Sequence, residues 1–231
     1  MTNTNSANSK DLTRRDFIKN LAVGSGTIAL FSNFGLLHFN ADDKGIIRAI
    51  VVDYNKCTGC RTCETVCSAF NHKQIVKGET LMGLGNPFLS NIKIHHYNPD
   101  VDVAAVCAMC PDAPCIEACP VPEDPETGRK ALYREKNTFV IKNDTARCIG
   151  CGSCANACKT QRVGIIKPNP ETNKPEHICT LCNGNPQCVT YCPFDALSYV
   201  EVDSKREFYG IAPGIIAGEL SKRFYNIQEE R

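Results

Sequence analysis

Sixteen cysteines stand in this 231-residue chain, and their spacing constrains the fold more than any other feature. They fall into four groups of four with none left over. Group one is Cys57, Cys60, Cys63 and Cys67, in CTGCRTCETVC; group two is Cys107, Cys110, Cys115 and Cys119, in CAMCPDAPCIEACP. Group three is Cys148, Cys151, Cys154 and Cys158, in CIGCGSCANAC; group four is Cys179, Cys182, Cys188 and Cys192, in CTLCNGNPQCVTYCP. Cysteine at this density is far above ordinary usage, and the chain has no Trp, so its core is not built mainly from large side chains.

Groups one and three repeat the run C-x2-C-x2-C-x3-C, and groups two and four stretch only its second interval. That run is how bacterial ferredoxins present thiolates to a [4Fe–4S] cubane: two-residue gaps let one tight loop deliver three ligands, and the fourth serves the neighbouring cluster. Gly59 and Gly150 precede the second cysteine of their groups, where positive φ turns backbone N–H groups toward sulfur. Pro120 and Pro193 follow the last cysteines of groups two and four as in the bacterial motif, whereas Ser68 and Lys159 stand there in groups one and three. An even cysteine count also permits a disulfide framework. Paired CxxC knuckles can hold zinc, but usually with a spacer of ~12–20 residues that these runs lack. Iron–sulfur ligation is the reading favoured over a zinc-binding interaction module, and disulfides rank lower still.

The 26 basic residues nearly balance the 25 acidic ones, which sets nucleic acid aside as a partner. No G-x-G-x-x-G, P-loop or H-E-x-x-H motif is present, and four complete sets of thiols leave no open iron for substrate. The expectation is a non-catalytic electron carrier. Of the five histidines, His95 and His96 are strand neighbours pointing to opposite faces, so a surface role or a role beside a cluster is expected for them and for His177. Met109, inside CAMC, is expected to pack beside its cluster.

Along the chain, residues 1–44 form a separate signal-like unit. Thr13 to Lys19 (TRRDFIK) resembles the twin-arginine export signal and precedes the weakly apolar run Leu21 to Phe39. Export to the periplasm is expected, with membrane association if the segment is retained and a cytoplasmic location if it is vestigial. GIIRAIVVDY (45–54) reads as a strand entering group one, and the 39 residues between groups one and two hold a second strand, NIKIHHY. PVPEDPETG reads as a loop. ALYREKNTFVIKNDTARC and GIIKPNPETNKPEHIC read as hairpins, and ALSYVEVD as a closing strand. Short helices are expected to start at each third cysteine, giving an α+β fold. In the tail, 206–231, Ile215, Ile216, Leu220, Phe224 and Ile227 recur at helical spacing, on a helix packed either on its own domain or on a partner subunit.

From about Val51 to Val202, the four motifs in order and CNGNPQCVTYCPFDAL in the last resemble the four-cluster ferredoxin-like subunits of molybdenum and tungsten pterin oxidoreductases. The chain is most similar to those of the aldehyde ferredoxin oxidoreductase family, and next to those of the dimethyl sulfoxide reductase family. The resemblance implies four [4Fe–4S] clusters in two nested ferredoxin-like units, an outer one (45–106 and 159–205) enclosing an inner one (107–158). It implies that Cys57, Cys60 and Cys63 share a cluster with Cys192, and Cys179, Cys182 and Cys188 share one with Cys67. Likewise Cys107, Cys110 and Cys115 join Cys158, and Cys148, Cys151 and Cys154 join Cys119. The implied partners are a catalytic pterin subunit and a membrane quinone-linked or other redox subunit; a free polyferredoxin is the alternative.

Overall fold

The computed structural model describes residues 46–226. The expected signal-like helix in 1–44, and Ile227 of the tail, lie outside the described residues. In chain order the elements are β1 (Arg48–Val52), α1 (Thr62–Asn71), β2 (Gln74–Val76), β3 (Glu79–Leu81), β4 (Ile92–Asn98), β5 (Val101–Val106) and α2 (Pro114–Glu117). There follow β6 (Leu132–Arg134), β7 (Ile141–Asn143), α3 (Ser153–Gln161), β8 (Lys167–Pro168), β9 (Pro175–Glu176), α4 (Gln187–Thr190), β10 (Leu197–Glu201) and α5 (Pro213–Phe224). Short 3-10 turns at Pro87–Leu89 and Leu181–Gly184 complete the set.

Among the described residues the strands form five two-stranded antiparallel ladders. Four are local hairpins: β2 with β3, β4 with β5, β6 with β7, and β8 with β9. The fifth joins the ends of the cysteine region, with Arg48 of β1 opposite Glu201 of β10 and Val52 opposite Leu197. The strand entering group one is thereby tied to the strand leaving group four. The two expected hairpins are present as β6–β7 and β8–β9. Two elements were not anticipated: the exposed β2–β3 hairpin, and β5, which runs straight into Cys107.

An isolated two-stranded ribbon is marginal in water. The main core therefore draws on aliphatic residues from several ladders, among them Ile50, Ile92, Ile94, Leu132, Ile141 and Leu197, packed together with buried cysteines of all four groups. A smaller cluster seats α5: Ile216, Ala217 and Leu220 pack on Val101 and Val103 of β5, with Tyr54, Phe208 and Ile211 at its edge. Burying an Ile or Leu side chain fully contributes about 1.5–3 kcal/mol, enough for such contacts to hold a twelve-residue helix in place. The tail helix packs on its own domain, while Ile215 remains outward and exposed. Among the described residues, no helix is long and apolar enough to cross a membrane.

Candidate functional site

The four cysteine loops share one backbone device. The residue before the second cysteine has positive φ in every group: Gly59 at 65°, Met109 at 50°, Gly150 at 67° and Leu181 at 49°. At Gly59, Met109 and Leu181 the turn aims the backbone N–H back at the sulfur two residues earlier, on Cys57, Cys107 and Cys179 respectively. The Leu181 N–H lies 3.4 Å from the Cys179 Sγ. Glycine adopts this conformation freely, whereas a side chain there costs on the order of 1–2 kcal/mol. Met109 and Leu181 carry that cost in the core, where they are 0% and 2% exposed.

The x3 interval has a separate meaning. Cys63 and Cys67 lie one turn apart on α1, and Cys154 and Cys158 one turn apart on α3, so each pair shares a helix face at a rise of about 6 Å. One helix can thus serve two neighbouring sites. Helix α1 packs against α4, and α2 against α3, so groups one and four lie side by side, as do groups two and three.

The thiols assemble across the groups accordingly. Cys57 lies near Cys192 and Cys60, and Cys63 near Cys57. Cys67 lines one cavity with Cys179, Cys182 and Cys188, and Cys119 lines another with Cys148, Cys151 and Cys154. Cys158 lies near Cys107, Cys110 and Cys115. Thiols of one set also lie close enough to feel the charge of the next: Cys63 that of Cys188, Cys179 that of Cys107, and Cys115 that of Cys154. The backbone N–H of Cys179 donates to the Cys107 sulfur, where the first-and-fourth half meets the second-and-third half.

The electrostatics differ between buried and exposed thiols. Burial first, and then the negative charge of neighbouring thiolates, pushes Cys107, Cys115 and Cys188 up to about 12 and Cys154 up to about 11. Cys60 and Cys151 are exposed and move the other way. At Cys60 burial is the largest single effect and raises the thiol, but the hydrogen bonds from Thr62 and Thr58 together outweigh it; at Cys151 the Ser153 hydroxyl and backbone N–H come first and lower the thiol. The Thr62 and Ser153 hydroxyl oxygens each stand 3.4 Å from the sulfur they serve. Cys67 receives the Asn91 N–H at 3.3 Å and the Asn71 amide at 3.6 Å.

These residues fit an iron–sulfur cluster. All sixteen cysteines are free. Buried thiolates that repel one another need a multivalent positive partner, and coordination to iron deprotonates them outright. A cubane offers each thiolate its own iron, which suits donors spread around a cavity. The amide oxygen of Asn143, buried without a partner, lines the cavity of Cys119, Cys148, Cys151 and Cys154. Turned over, that amide would present N–H donors to sulfur.

Comparison with known proteins agrees. Family models described as "4Fe-4S binding domain" match residues 49–72 and 141–161. The chain is 34% identical over 143 residues to the "Aliphatic sulfonate oxidoreductase, polyferredoxin-like subunit" of Pyrococcus furiosus, covering 62% of this chain and 70% of that one. It is 32% identical over 168 residues to the "Electron transport protein HydN" of Escherichia coli, covering 67% and 88%. This chain belongs to the ferredoxin-like iron–sulfur electron-transfer proteins. The ferredoxin-like protein YdhX of Escherichia coli, 30% identical over 225 residues, matches 94% of the chain and 88% of its own length. As a member of this family the chain binds [4Fe–4S] clusters and carries electrons.

Several residues around the iron–sulfur sites escaped the sequence reading. Glu64 is buried on α1, where it accepts the Ile94 N–H at 2.8 Å and pairs with Arg61. Asp102 packs against the Gly59 turn and contacts His96. Arg162 donates to Cys110 and pairs with Asp112. Only Thr62 and Ser153 carried a readable signal, a hydroxyl residue two places after the second cysteine in both groups one and three.

Proposed function

We propose that the chain is a four-cluster relay subunit of an oxidoreductase, with two nested ferredoxin-like units and its sixteen cysteines as the ligands. When bound, each [4Fe–4S] cluster accepts and releases one electron. In this reading Cys57, Cys60, Cys63 and Cys192 hold one cluster, and Cys67, Cys179, Cys182 and Cys188 the next. Cys107, Cys110, Cys115 and Cys158 hold a third, and Cys119, Cys148, Cys151 and Cys154 a fourth.

The observation that carries the relay is the meeting of Cys179 and Cys107, which makes one series of two halves. The order along it is the Cys60 set, the Cys182 set, the Cys110 set and the Cys151 set. Only the second cysteines of the two end sets, Cys60 and Cys151, are exposed. Those ends are where partners would dock, and the residues between them keep water away.

The partner at one end is a molybdenum or tungsten pterin catalytic subunit, and at the other a membrane quinone-linked or other redox subunit. The motif resemblance supports the pterin partner, and relatives named as oxidoreductase subunits support an assembly. The twin-arginine-like TRRDFIK segment supports export to the periplasm after the clusters are in place.

Anaerobic purification of the full chain with whatever polypeptides accompany it tests the proposal. A complex containing a pterin with molybdenum or tungsten is the expected result. An iron-loaded monomer with no catalytic partner would instead make it a free polyferredoxin. Zinc without iron and sulfide would make it an interaction module.

A further inference from the structure

Asp102 and His96 form a hydrogen-bonded pair that leans on one cysteine loop and on none of the other three. The register shift between His96 and Asn98 sets the imidazole opposite the carboxylate across the β4–β5 hairpin. His96 Nδ1 contacts one oxygen of Asp102. The other oxygen fills the space beside the Gly59 α-carbon, where any Cβ would overlap it. The carboxylate is largely enclosed, 16% exposed, and the imidazole is 54% exposed and open to water. Gly150 holds the matching position in group three, but a Cβ there meets the Thr172 carbonyl and Asn173, with no carboxylate.

Other charges near the pair are largely engaged. Glu64 and Arg61 of α1 neutralise one another, and Lys56 in the loop pairs with Asp53. Lys93 donates to the Pro87 and Phe88 carbonyls, and Asp100, at the turn between β4 and β5, accepts the Tyr225 hydroxyl at 2.6 Å. His95, beside His96 on β4, is held toward its neutral form by burial and then by Lys167. The thiols of Cys57, Cys60 and Cys192 complete the surroundings, and Asp102 adds negative charge facing Cys57. His96 itself touches none of these cysteines in the described hydrogen bonds and ion pairs.

We propose that Asp102 and His96 are potential-setting residues that link proton binding to electron uptake at the Cys57, Cys60, Cys63 and Cys192 site. The inference rests on the reading that these four cysteines hold a cluster. With His96 neutral, the Asp102 carboxylate is uncompensated, opposes added negative charge at the site and lowers its potential. With His96 protonated, that charge is offset and the potential rises. Uptake of one electron from the redox partner is then accompanied by one proton from water binding the His96 ring. Linkage is reciprocal, so the reduced site holds this proton more tightly than the oxidised site.

The test is a redox titration of the anaerobically prepared full chain, followed by paramagnetic resonance, across the histidine range of about pH 5–8. Cys60→Ser identifies the component belonging to this site by removing or altering it. The expected result is that this component's potential falls as pH rises, while the component altered by Cys151→Ser stays flat. His96→Gln should abolish the slope and fix the potential near its high-pH value. Asp102→Asn should also flatten it and raise the high-pH potential, with the other components unmoved. A flat wild-type profile, or a slope that persists in both variants, overturns the inference while leaving the cluster assignment intact. If Cys60→Ser alters no component, the assignment fails and takes the inference with it.

Discussion

In two of the four cysteine loops the second cysteine reaches the surface and in the other two it is held further in, although all four bend the backbone the same way. In groups one and three the bend is made by Gly59 and Gly150, and the next cysteine is exposed, with a Thr62 or Ser153 hydroxyl beside it. In groups two and four the bend is made by Met109 and Leu181, whose side chains are sealed in the core. The next cysteine there is buried (Cys110) or half-buried (Cys182). Glycine serves where the loop meets solvent, and a strained apolar residue serves where water must be kept out. The same ligand geometry is thus tuned by a single position, since solvent exposure and hydrogen bonds to sulfur both set an iron–sulfur potential.

The sharpest way to break this division into paired sets is to remove a fourth cysteine. Cys158→Ser should abolish the spectroscopic component that Cys107→Ser abolishes, although Cys158 belongs by sequence to group three. It should spare the component lost in Cys154→Ser, its neighbour one turn away. Paramagnetic resonance of the reduced variants checks this, and loss of the Cys154 component instead would dissolve the cross-group pairing.

Next in size is the loop residue itself. Met109→Ala keeps the strained backbone and empties a buried site, so about 2–5 kcal/mol of stability should go. Gly150→Ala keeps an open surface but forces a Cβ to within 2.9 Å of the Thr172 carbonyl at positive φ, at about 1–2 kcal/mol. Thermal loss of the visible iron–sulfur absorbance ranks the two. A larger effect at Gly150 would mean that the interior loops do not depend on their plugs.

The smallest effect belongs to the surface hydroxyls. Thr62→Val and Ser153→Ala each remove one hydrogen bond to an exposed sulfur, worth about 0.5–1.5 kcal/mol. Each should lower the potential of its own end set and leave the two interior sets unchanged in a redox titration. Equal shifts in all four components would contradict the separation of ends from interior.

Much of this was legible in the sequence because it is local. The thiol spacing, the Gly59 and Gly150 turns, the β6–β7 and β8–β9 hairpins and the apolar stripe of α5 all follow from residues close to one another in the chain. What escaped depends on distant neighbours. Met109 and Leu181 do not announce a positive φ, because only the surrounding core holds them in it. VDVAAV lacks a clear alternation because Val101 and Val103 face α5 while Ala104 to Val106 enter the main core, so β5 is covered on both sides. His96 is exposed, in keeping with the surface or cluster-side role expected for it, but its contact with Asp102 was not legible, because that partner lies across a hairpin whose register shifts between His96 and Asn98.

Native mass spectrometry of the anaerobically prepared chain tests the account most directly. The predicted mass exceeds that of the polypeptide by four [4Fe–4S] clusters and falls by one cluster in Cys115→Ser. A wild-type chain carrying only two clusters, or carrying zinc, or with its sulfurs joined as disulfides, would contradict it.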